Sequence, residues 1–453
     1  MVSFFSTIPF VMFFLFRRLT LVTITLLATS NAYAAIVNGP MLGHIDMREA
    51  SVWIQADRPS LVRIAYSEDG SSGTTQWSLP YETINTLGNT ATITLENVEA
   101  GKNYSYQVEL NGELTNKSGT FTTPTYYHER TPPPDFRIAV GGAHYAVEEG
   151  FEPPYRTLGG GYGVFSEIAS SSPDLMLWVG NTAHLRESDW ASKSGILKRY
   201  AHARAVPEIS HFLGNIPNYA TWGNSDFSTS NAGHFYTFRQ DTEASFKAFW
   251  PRPAEVATLQ GIATRFRRAD VDFFMLDVRS YRNDTPDSTE SPQILGKEQI
   301  NWLRQEIIRS KATFKIIVAG NPILNPADSP ENLSFADREH TALLQMLREE
   351  RISGLFFISG GKYYGELTRL VHANSYNLYD LTVGPLTASP EQDSKELNFF
   401  RMPGSSTFEQ QFALIDVSGP EEDRQLTIRV MSMEGKELWN REIKASQLQP
   451  AGQ

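Results

Sequence analysis

Four short loops hold the polar residues of this chain that could do chemistry. They read Gly141-Gly142-Ala143-His144, Gly180-Asn181-Thr182-Ala183-His184, Trp222-Gly223-Asn224-Ser225-Asp226 and Ser359-Gly360-Gly361-Lys362-Tyr363. His144 and His184, together with Asn181 and Asn224, offer neutral donors that could hold a single transition-metal ion weakly, and Asp226 would add one carboxylate. Their spacing matches no independent metal motif. Ser225 is a nucleophile only if a base stands beside it, and no Gly-x-Ser-x-Gly elbow surrounds it. The plain alternative for any one loop is that glycine closes a tight turn after a strand.

The elements that must position these loops are legible from periodicity. Phe136–Val140, Leu175–Val179, Asp272–Leu276, Phe314–Val318 and Gly354–Ile358 are short apolar runs of buried-strand type. Amphipathic stretches at Lys297–Ser310 and Asp337–Glu350 lie between them. This alternation predicts an α/β domain with helices on the faces of its sheet. Ligands of such folds bind beyond the carboxyl ends of the strands, so four loops in that position predict one shared site. Earlier, residues 36–125 alternate with period 2 in Ser51–Gln55, Leu61–Tyr66, Ala91–Leu95 and Tyr104–Leu110, and Asn111-Gly112 signals a hairpin. That pattern predicts a small β-sandwich. A linker over 126–134, stiffened by Arg130-Thr-Pro-Pro-Pro134, separates it from an α/β domain over 135–445.

Composition narrows the function classes. At 453 residues, 41% apolar and 20% charged, the chain can bury two cores. Its net charge is −11, and loss of Arg17 and Arg18 with a leader makes it −13, which argues against phosphate-driven nucleic-acid binding. There is no cysteine, so disulfides, thiolate catalysis and thiolate metal ligands are excluded.

Residues 1–34 read as a signal peptide: Arg17-Arg18, an apolar run Leu19–Ala28, then Ala32-Tyr33-Ala34 as the small-x-small cleavage pattern. The run is shorter than the roughly 20 residues of a membrane span, so no stable span is expected after cleavage. Export to the periplasm or extracellular space is the expectation. Whether the route is general or twin-arginine, and whether Met1 or Met12 is the start, stays open.

Longer segments carry a family resemblance. Pro173-Asp-Leu-Met-Leu-Trp-Val-Gly180, Leu185-Arg-Glu-Ser-Asp-Trp190, Arg199-Tyr-x-His202-x-Arg204, Phe273-Phe-Met-Leu-Asp-Val-Arg-Ser-Tyr-Arg282, Ala312-Thr-Phe-Lys-Ile-Ile317 and Tyr379-Asp-Leu-Thr-Val-Gly-Pro-Leu-Thr387 resemble the alkaline phosphatase D (PhoD-like) metallophosphatases of the calcineurin-like phosphoesterase superfamily. The resemblance covers about residues 38–443. It implies a β-sandwich ahead of an αββα-type metallophosphoesterase domain, and Leu95-x-x-Val98-x-Ala100-Gly101-x-x-Tyr104-x-Tyr106 is similar to the fibronectin type III pattern. It also implies two metal ions of the calcium, iron or zinc type, which activate a hydroxide and neutralise the phosphate.

Against the family motifs the loops keep their frame and lose their ligands. The family reads Gly-Ser-Cys where this chain has Gly141-Gly142-Ala143, and Gly-Asp-x-x-Tyr where it has Gly180-Asn181-x-x-His184. It reads Trp-Asp-Asp-His-Asp at Trp222-Gly223-Asn224-Ser225-Asp226, so Ser225 stands at the family's catalytic histidine, and Ser-Gly-Asp-Arg-His at Ser359-Gly360-Gly361-Lys362-Tyr363. Two divalent cations need anionic ligands, so no cofactor is predicted and a pseudoenzyme is favoured. Arg186, Arg199, Arg204, Arg279, Arg282 and Lys362 lie in retained segments and suit a phosphate-containing small molecule. Their bland role is ion pairing with neighbours such as Glu187, Asp189 and Asp277. The competing reading is an active phosphomonoesterase or phosphodiesterase remodelled around His144, His184, Asn181, Asn224 and Asp226. No protein partner is indicated.

Overall fold

The computed structural model describes residues 34–70, 74–229, 231–283, 291–371, 375–392 and 396–450. The leader before Ala34 lies outside the described residues. From Ala34 onward the chain forms one compact unit.

Its first part is a module of two antiparallel sheets. Strands Ile36–Ile45, Glu49–Ala56 and Thr90–Glu96 form one; Leu61–Glu68, Asn103–Leu110 and Glu113–Thr122, with the two-residue strands Gln76–Trp77 and Tyr81–Glu82, form the other. Alternation drives this arrangement: Val62, Ile64, Tyr66, Tyr104, Tyr106 and Val108 point to one shared core with Val52, Ile54, Ile93 and Leu95. The Asn111-Gly112 turn has φ of 52° and 87°, the two left-handed residues a tight hairpin needs.

The second part is built from two six-stranded sheets. The first has the order Asn218–Thr221, Leu175–Val179, Phe136–Gly141, Gln411–Ser418, Gln425–Ser432, Glu437–Lys444. The second has the order Thr264–Arg268, Val271–Met275, Phe314–Ala319, Leu355–Ser359, Leu378–Thr382, Glu366–Leu370. One buried apolar cluster draws on strands of both, including Trp178, Val140, Ile415, Phe273, Ile317 and Phe357. The buried-strand runs and both long helices, Lys297–Arg309 and Asp337–Glu349, stand where periodicity puts them, within a residue or so. Two sheets replace the single sheet that alternation alone suggests. The C-terminal strands, which sequence reading did not single out, complete the first sheet: Gln411–Ser418 pairs antiparallel with Phe136–Gly141.

The module is seated on the second part through buried polar and aromatic contacts. Trp53 Nε1 donates to the Ala248 carbonyl at 2.7 Å and Tyr106 donates to the Gly214 carbonyl at 2.8 Å. Arg204 is buried here, its guanidinium 4.4 Å from the ring centre of Trp250 and also near Trp53, Tyr200 and Phe249.

Candidate functional site

The loops after Phe136–Gly141, Leu175–Val179 and Asn218–Thr221 meet those after Phe314–Ala319 and Leu355–Ser359 at the carboxyl ends of the two sheets. Backbone contact between them is very close. A side chain at Gly360 would overlap the Val179 carbonyl, and one at Gly320 would overlap the Trp222 carbonyl. Three non-glycine residues at this junction hold left-handed backbone: Ala143 (φ 51°), Asn181 (55°) and His184 (50°). Such conformations cost of order 1 kcal/mol each and persist only where surrounding bonds over-determine them.

Asp226 supplies that over-determination. One carboxylate oxygen accepts the backbone N–H of Asn181 at 2.6 Å and of Gly223 at 2.9 Å. The other accepts the N–H of Thr182 at 2.6 Å, its hydroxyl at 3.0 Å and the N–H of Ala183 at 2.7 Å. Burial raises its pKa, and these donors work against the rise. Nothing of this carboxylate is left for a ligand. Asp277 anchors the next shell in the same manner, accepting Trp222 Nε1 at 2.9 Å and the N–H groups of Ile262, Arg279 and Ser280.

The positions that the family resemblance assigns to metal ligands are filled by one another. The Asn181 amide oxygen accepts the Ser225 N–H at 3.0 Å and lies where a side chain at Gly223 would begin. Gly361 has φ 78°, and a β-carbon there would stand 2.6 Å from the Gly320 carbonyl. Ala143 packs with Tyr145 and Ala388 in a small apolar cluster that also takes in Tyr363. Asn224 and Ser225 are half-buried. The Asn224 amide makes no hydrogen bond among the described residues.

Both histidines are engaged at both ring nitrogens. His184 donates from Nδ1 to the His144 carbonyl at 3.0 Å and accepts at Nε2 from the Tyr363 hydroxyl, also at 3.0 Å. His144 donates from Nε2 to the Ala203 carbonyl and accepts at Nδ1 from Thr387, both at 2.9 Å. Since a carbonyl can only accept, the partners fix each tautomer. Burial lowers the pKa of His184 to about 3 and that of His144 to about 4, so both rings are neutral. Ser225 does have a polar neighbour, the Tyr363 hydroxyl, but burial raises that phenol's pKa and His184 behind it is a very weak base. The arrangement is a hydrogen-bonded chain without a base to activate the serine.

The six cations are distributed through the fold rather than gathered at one point. Arg186 pairs with Glu148 and, at 3.0 Å, with Asp189. Arg199 donates to the carbonyls of His184 and Ala146 and lies over the Tyr145 ring. Arg204 donates to the carbonyls of Phe249 and Tyr200 at the module junction, where burial lowers its pKa to about 9. Arg279 pairs with Glu331 and reaches Asn321; Arg282 donates to the Pro330 carbonyl at 2.9 Å. Lys362 pairs with Glu396. Of the carboxylates expected to pair with arginine, Asp189 does so, whereas Asp277 binds Trp222 and backbone instead. The principal partners, Glu148, Glu331 and Glu396, were not singled out from sequence because no periodicity marks them. Glu331 had the best available signal: it belongs to the long segment after the Phe314–Ala319 strand, whose Gly320-Asn321 start is a fifth strand-end loop.

These residues do not fit a two-metal centre. Among the described residues no three His, Asp or Glu side chains are grouped to hold a metal ion. The only carboxylate in the four loops, Asp226, is fully occupied by N–H and O–H donors, the histidine lone pairs face Tyr363 and Thr387, and Lys362 brings a positive charge.

Comparison with known proteins gives the same lineage. Residues 138–413 match the model of the PhoD-like phosphatase family, and residues 33–127 match a domain of unknown function, DUF7800. No curated protein sequence matches the chain. The solved structure of PhoD superposes with a TM-score of 0.70 at 14% identity, covering 90% of this chain and 92% of that one. A purple acid phosphatase, PPD1 from yellow lupin (Lupinus luteus) seeds, superposes with a TM-score of 0.64 at 13% identity, covering 90% and 75%. At such identities the superpositions establish the fold, and the family model, which spans more than half of the sequence, establishes the lineage: this chain belongs to the PhoD-like phosphatase family.

Proposed function

We propose that this protein is an exported member of the family in which metal-dependent phosphoester hydrolysis is lost or strongly impaired. The reading rests above all on Asp226: the one carboxylate in the four loops holds backbone N–H groups instead of facing the crevice. A metal ion would have to compete with those donors and with the Tyr363–His184 bond, with no anionic ligand gained in return. The remodelled-enzyme alternative needs free lone pairs on His144, His184, Asn181, Asn224 and Asp226, and among the described residues all of these but Asn224 have their side chains engaged.

The function is then binding or scaffolding, by the crevice or by the N-terminal module. We read that module as fibronectin type III-like, supported by its three-stranded sheet facing a larger second sheet. Residues 1–34 direct export, with the mature chain in the periplasm or outside the cell. Because Arg186, Arg279 and Lys362 each hold an internal carboxylate, tight binding of a phosphate-containing molecule is not favoured. The test is metal analysis of protein purified without chelator, together with hydrolysis of aryl phosphate mono- and diesters under added calcium, manganese, iron or zinc. Substoichiometric metal and background turnover are expected; stoichiometric metal with turnover above background overturns the proposal.

A further inference from the structure

A cleft of about 880 Å³ opens between the N-terminal module with its linker and the second part of the chain. It lies at the amino ends of the parallel strands. Asp135, Asp174, Asp270 and Ala312, which line it, stand at most two residues before Phe136–Gly141, Leu175–Val179, Val271–Met275 and Phe314–Ala319, whereas the four loops leave the opposite ends. One wall is the strand Thr264–Arg268, an edge of the second six-stranded sheet. Its neighbour Val271–Met275 shows which way its main chain points. The Leu276 N–H donates to the Val318 carbonyl at 2.8 Å, so by alternation Asp272 and Phe274 also turn toward Phe314–Ala319. Val271, Phe273 and Met275 then bond the edge strand, at Arg268, Phe266 and Thr264. The N–H and C=O groups of Arg265 and Arg267 therefore point out of the sheet, and among the described residues nothing bonds them. Such an edge is a template for a further strand unless it is covered or charged. The arginine side chains do not cover it: Arg267 turns inward to Asp272, at 2.8 and 2.7 Å, and Arg265 to Asp272 and Glu306.

The opposite wall is the segment 122–128, where the N–H and C=O groups of Thr125 and Tyr126 also have no partner among the described residues. The side chains around the edge say what a strand placed there would carry. Its residues alternate between two faces. Those beside Arg265 and Arg267 fall on the face of the two guanidinium groups. Arg267 is half-exposed, and Asp272 engages only its Nε and Nη2. Lys311 lines the same cleft and forms no ion pair among the described residues. A residue beside Phe266 falls on the other face, where the Phe266 ring stacks on Tyr219 at 3.7 Å and His44 stands 6.5 Å away. Most carboxylates of the cleft are already engaged: Asp135 and Asp270 pair with Arg424, and Asp174 with Arg268 and the Arg137 N–H. Asp46, on the module side, accepts the Met47 N–H. The edge thus presents main-chain bonds, cationic positions two residues apart and an aromatic position between them.

We infer that this cleft takes up an extended segment of a partner protein, which adds a strand beside Thr264–Arg268 and carries acidic side chains at alternate positions with apolar ones between them. The inference goes beyond the loss of metal chemistry and does not depend on it. A five-residue strand spans about 17 Å. Main-chain bonds supply affinity, and the alternating side chains supply the preference. Opposite charges facing each other across strands are favourable, and like charges are not. The same rule disfavours a second copy of this chain, because two antiparallel Thr264–Arg268 edges would set Arg265 against Arg267.

The test is fluorescence anisotropy of a labelled, end-blocked peptide, Glu-Val-Glu-Val-Glu, titrated with the protein at physiological salt, which screens the net charge of −11. Amide hydrogen exchange at Arg265 and Arg267 reports where it binds. Saturable binding that slows exchange at both residues is expected, with Lys-Val-Lys-Val-Lys about tenfold weaker at that site. Methylating the three glutamate nitrogens or the two valine nitrogens separates the two sides of the peptide: one set is expected to abolish binding and the other to leave it. Arg267→Pro, its fold checked by circular dichroism, removes one outward N–H without touching the bonds to Val271–Met275 and should weaken binding at least tenfold. Should that variant fail to fold, the methylated peptides on the wild-type chain decide. No saturable binding overturns the proposal. So do unchanged exchange at 265 and 267, equal binding of both methylated peptides, or a lysine peptide that protects the two amides as well as the glutamate one. A wild-type dimer that Arg267→Pro converts to monomer, with no peptide bound, overturns it by assigning the edge to a second copy.

Discussion

Replacing Gly361 with aspartate, the residue the family carries at this position, probes whether the crevice lacks only its ligands or has also closed around their loss. The left-handed backbone at φ 78° costs an aspartate about 1 kcal/mol relative to glycine. Its β-carbon would stand 2.6 Å from the Gly320 carbonyl, and that loop is itself pressed against the Trp222 carbonyl. Forcing such a contact apart adds about 1–3 kcal/mol. Gly361→Asp is therefore expected to lower stability by about 2–4 kcal/mol. With about 2.1 cal/mol/K of unfolding entropy per residue, this is a fall in Tm of about 2–5 °C for a cooperative unit of this size. Calorimetry and urea denaturation measure it, and titration with zinc or manganese should show no gain of metal affinity. Gly223→Asp is a useful contrast: its obstacle is the Asn181 amide, a side chain that can rotate at the cost of its bond to the Ser225 N–H. A Gly361→Asp protein as stable as wild type, binding one equivalent of metal, would refute the claim that the loops have closed.

Three further outcomes follow from the same network. Asp226→Asn leaves one acceptor oxygen facing donors that two oxygens now serve, so a loss of about 3–5 kcal/mol is expected, with faster amide exchange at 181–183 and 223; unchanged exchange there would contradict the role given to this carboxylate. His144 and His184, lowered to about 4 and 3, contribute stability that is complete above the unfolded value near 6.5 and declines as pH falls toward 4 and 3, so imidazole NMR signals should remain those of neutral rings down to about pH 5; titration of either near 6.5 would disprove the burial argument. Burial raises Asp380 from 3.8 to about 6, against bonds from the N–H groups of Ile323 and Leu324 and from Ser359. The folded state then holds its proton more tightly, and stability falls by about 3 kcal/mol between pH 4 and 6. Subtracting the denaturation profile of Asp380→Asn from that of wild type should isolate this slope, and a flat difference would exclude it.

The segments that sequence made legible are those whose physics is local. Leu175–Val179 is apolar at every position because both of its faces are covered, and it was readable without knowing what covers them. The helix Lys297–Arg309 shows its buried side through Gln299, Leu303 and Ile307, a spacing set by the helical turn. The absence of family ligands at Ala143, Asn181, Gly223, Ser225, Gly361 and Tyr363 was equally plain. What replaced them was not. His144 faces Thr387, 243 residues away, and His184 faces Tyr363, 179 away. No pattern in the chain points from either histidine to its partner.

Sequence by itself determined five of the buried strands, the loops that leave four strand ends, and the scarcity of carboxylates in those loops, because apolar periodicity and residue identity are properties of short stretches. Tertiary structure decided what the remaining polar groups do. It turned Asp226 from a candidate ligand into the acceptor of five hydrogen bonds, and it closed Arg279 and Lys362 with Glu331 and Glu396. The physical reason is that a buried polar group must be satisfied by whatever partner the fold brings within about 3 Å, and which partner that is depends on how two sheets pack rather than on the residues beside it in the chain.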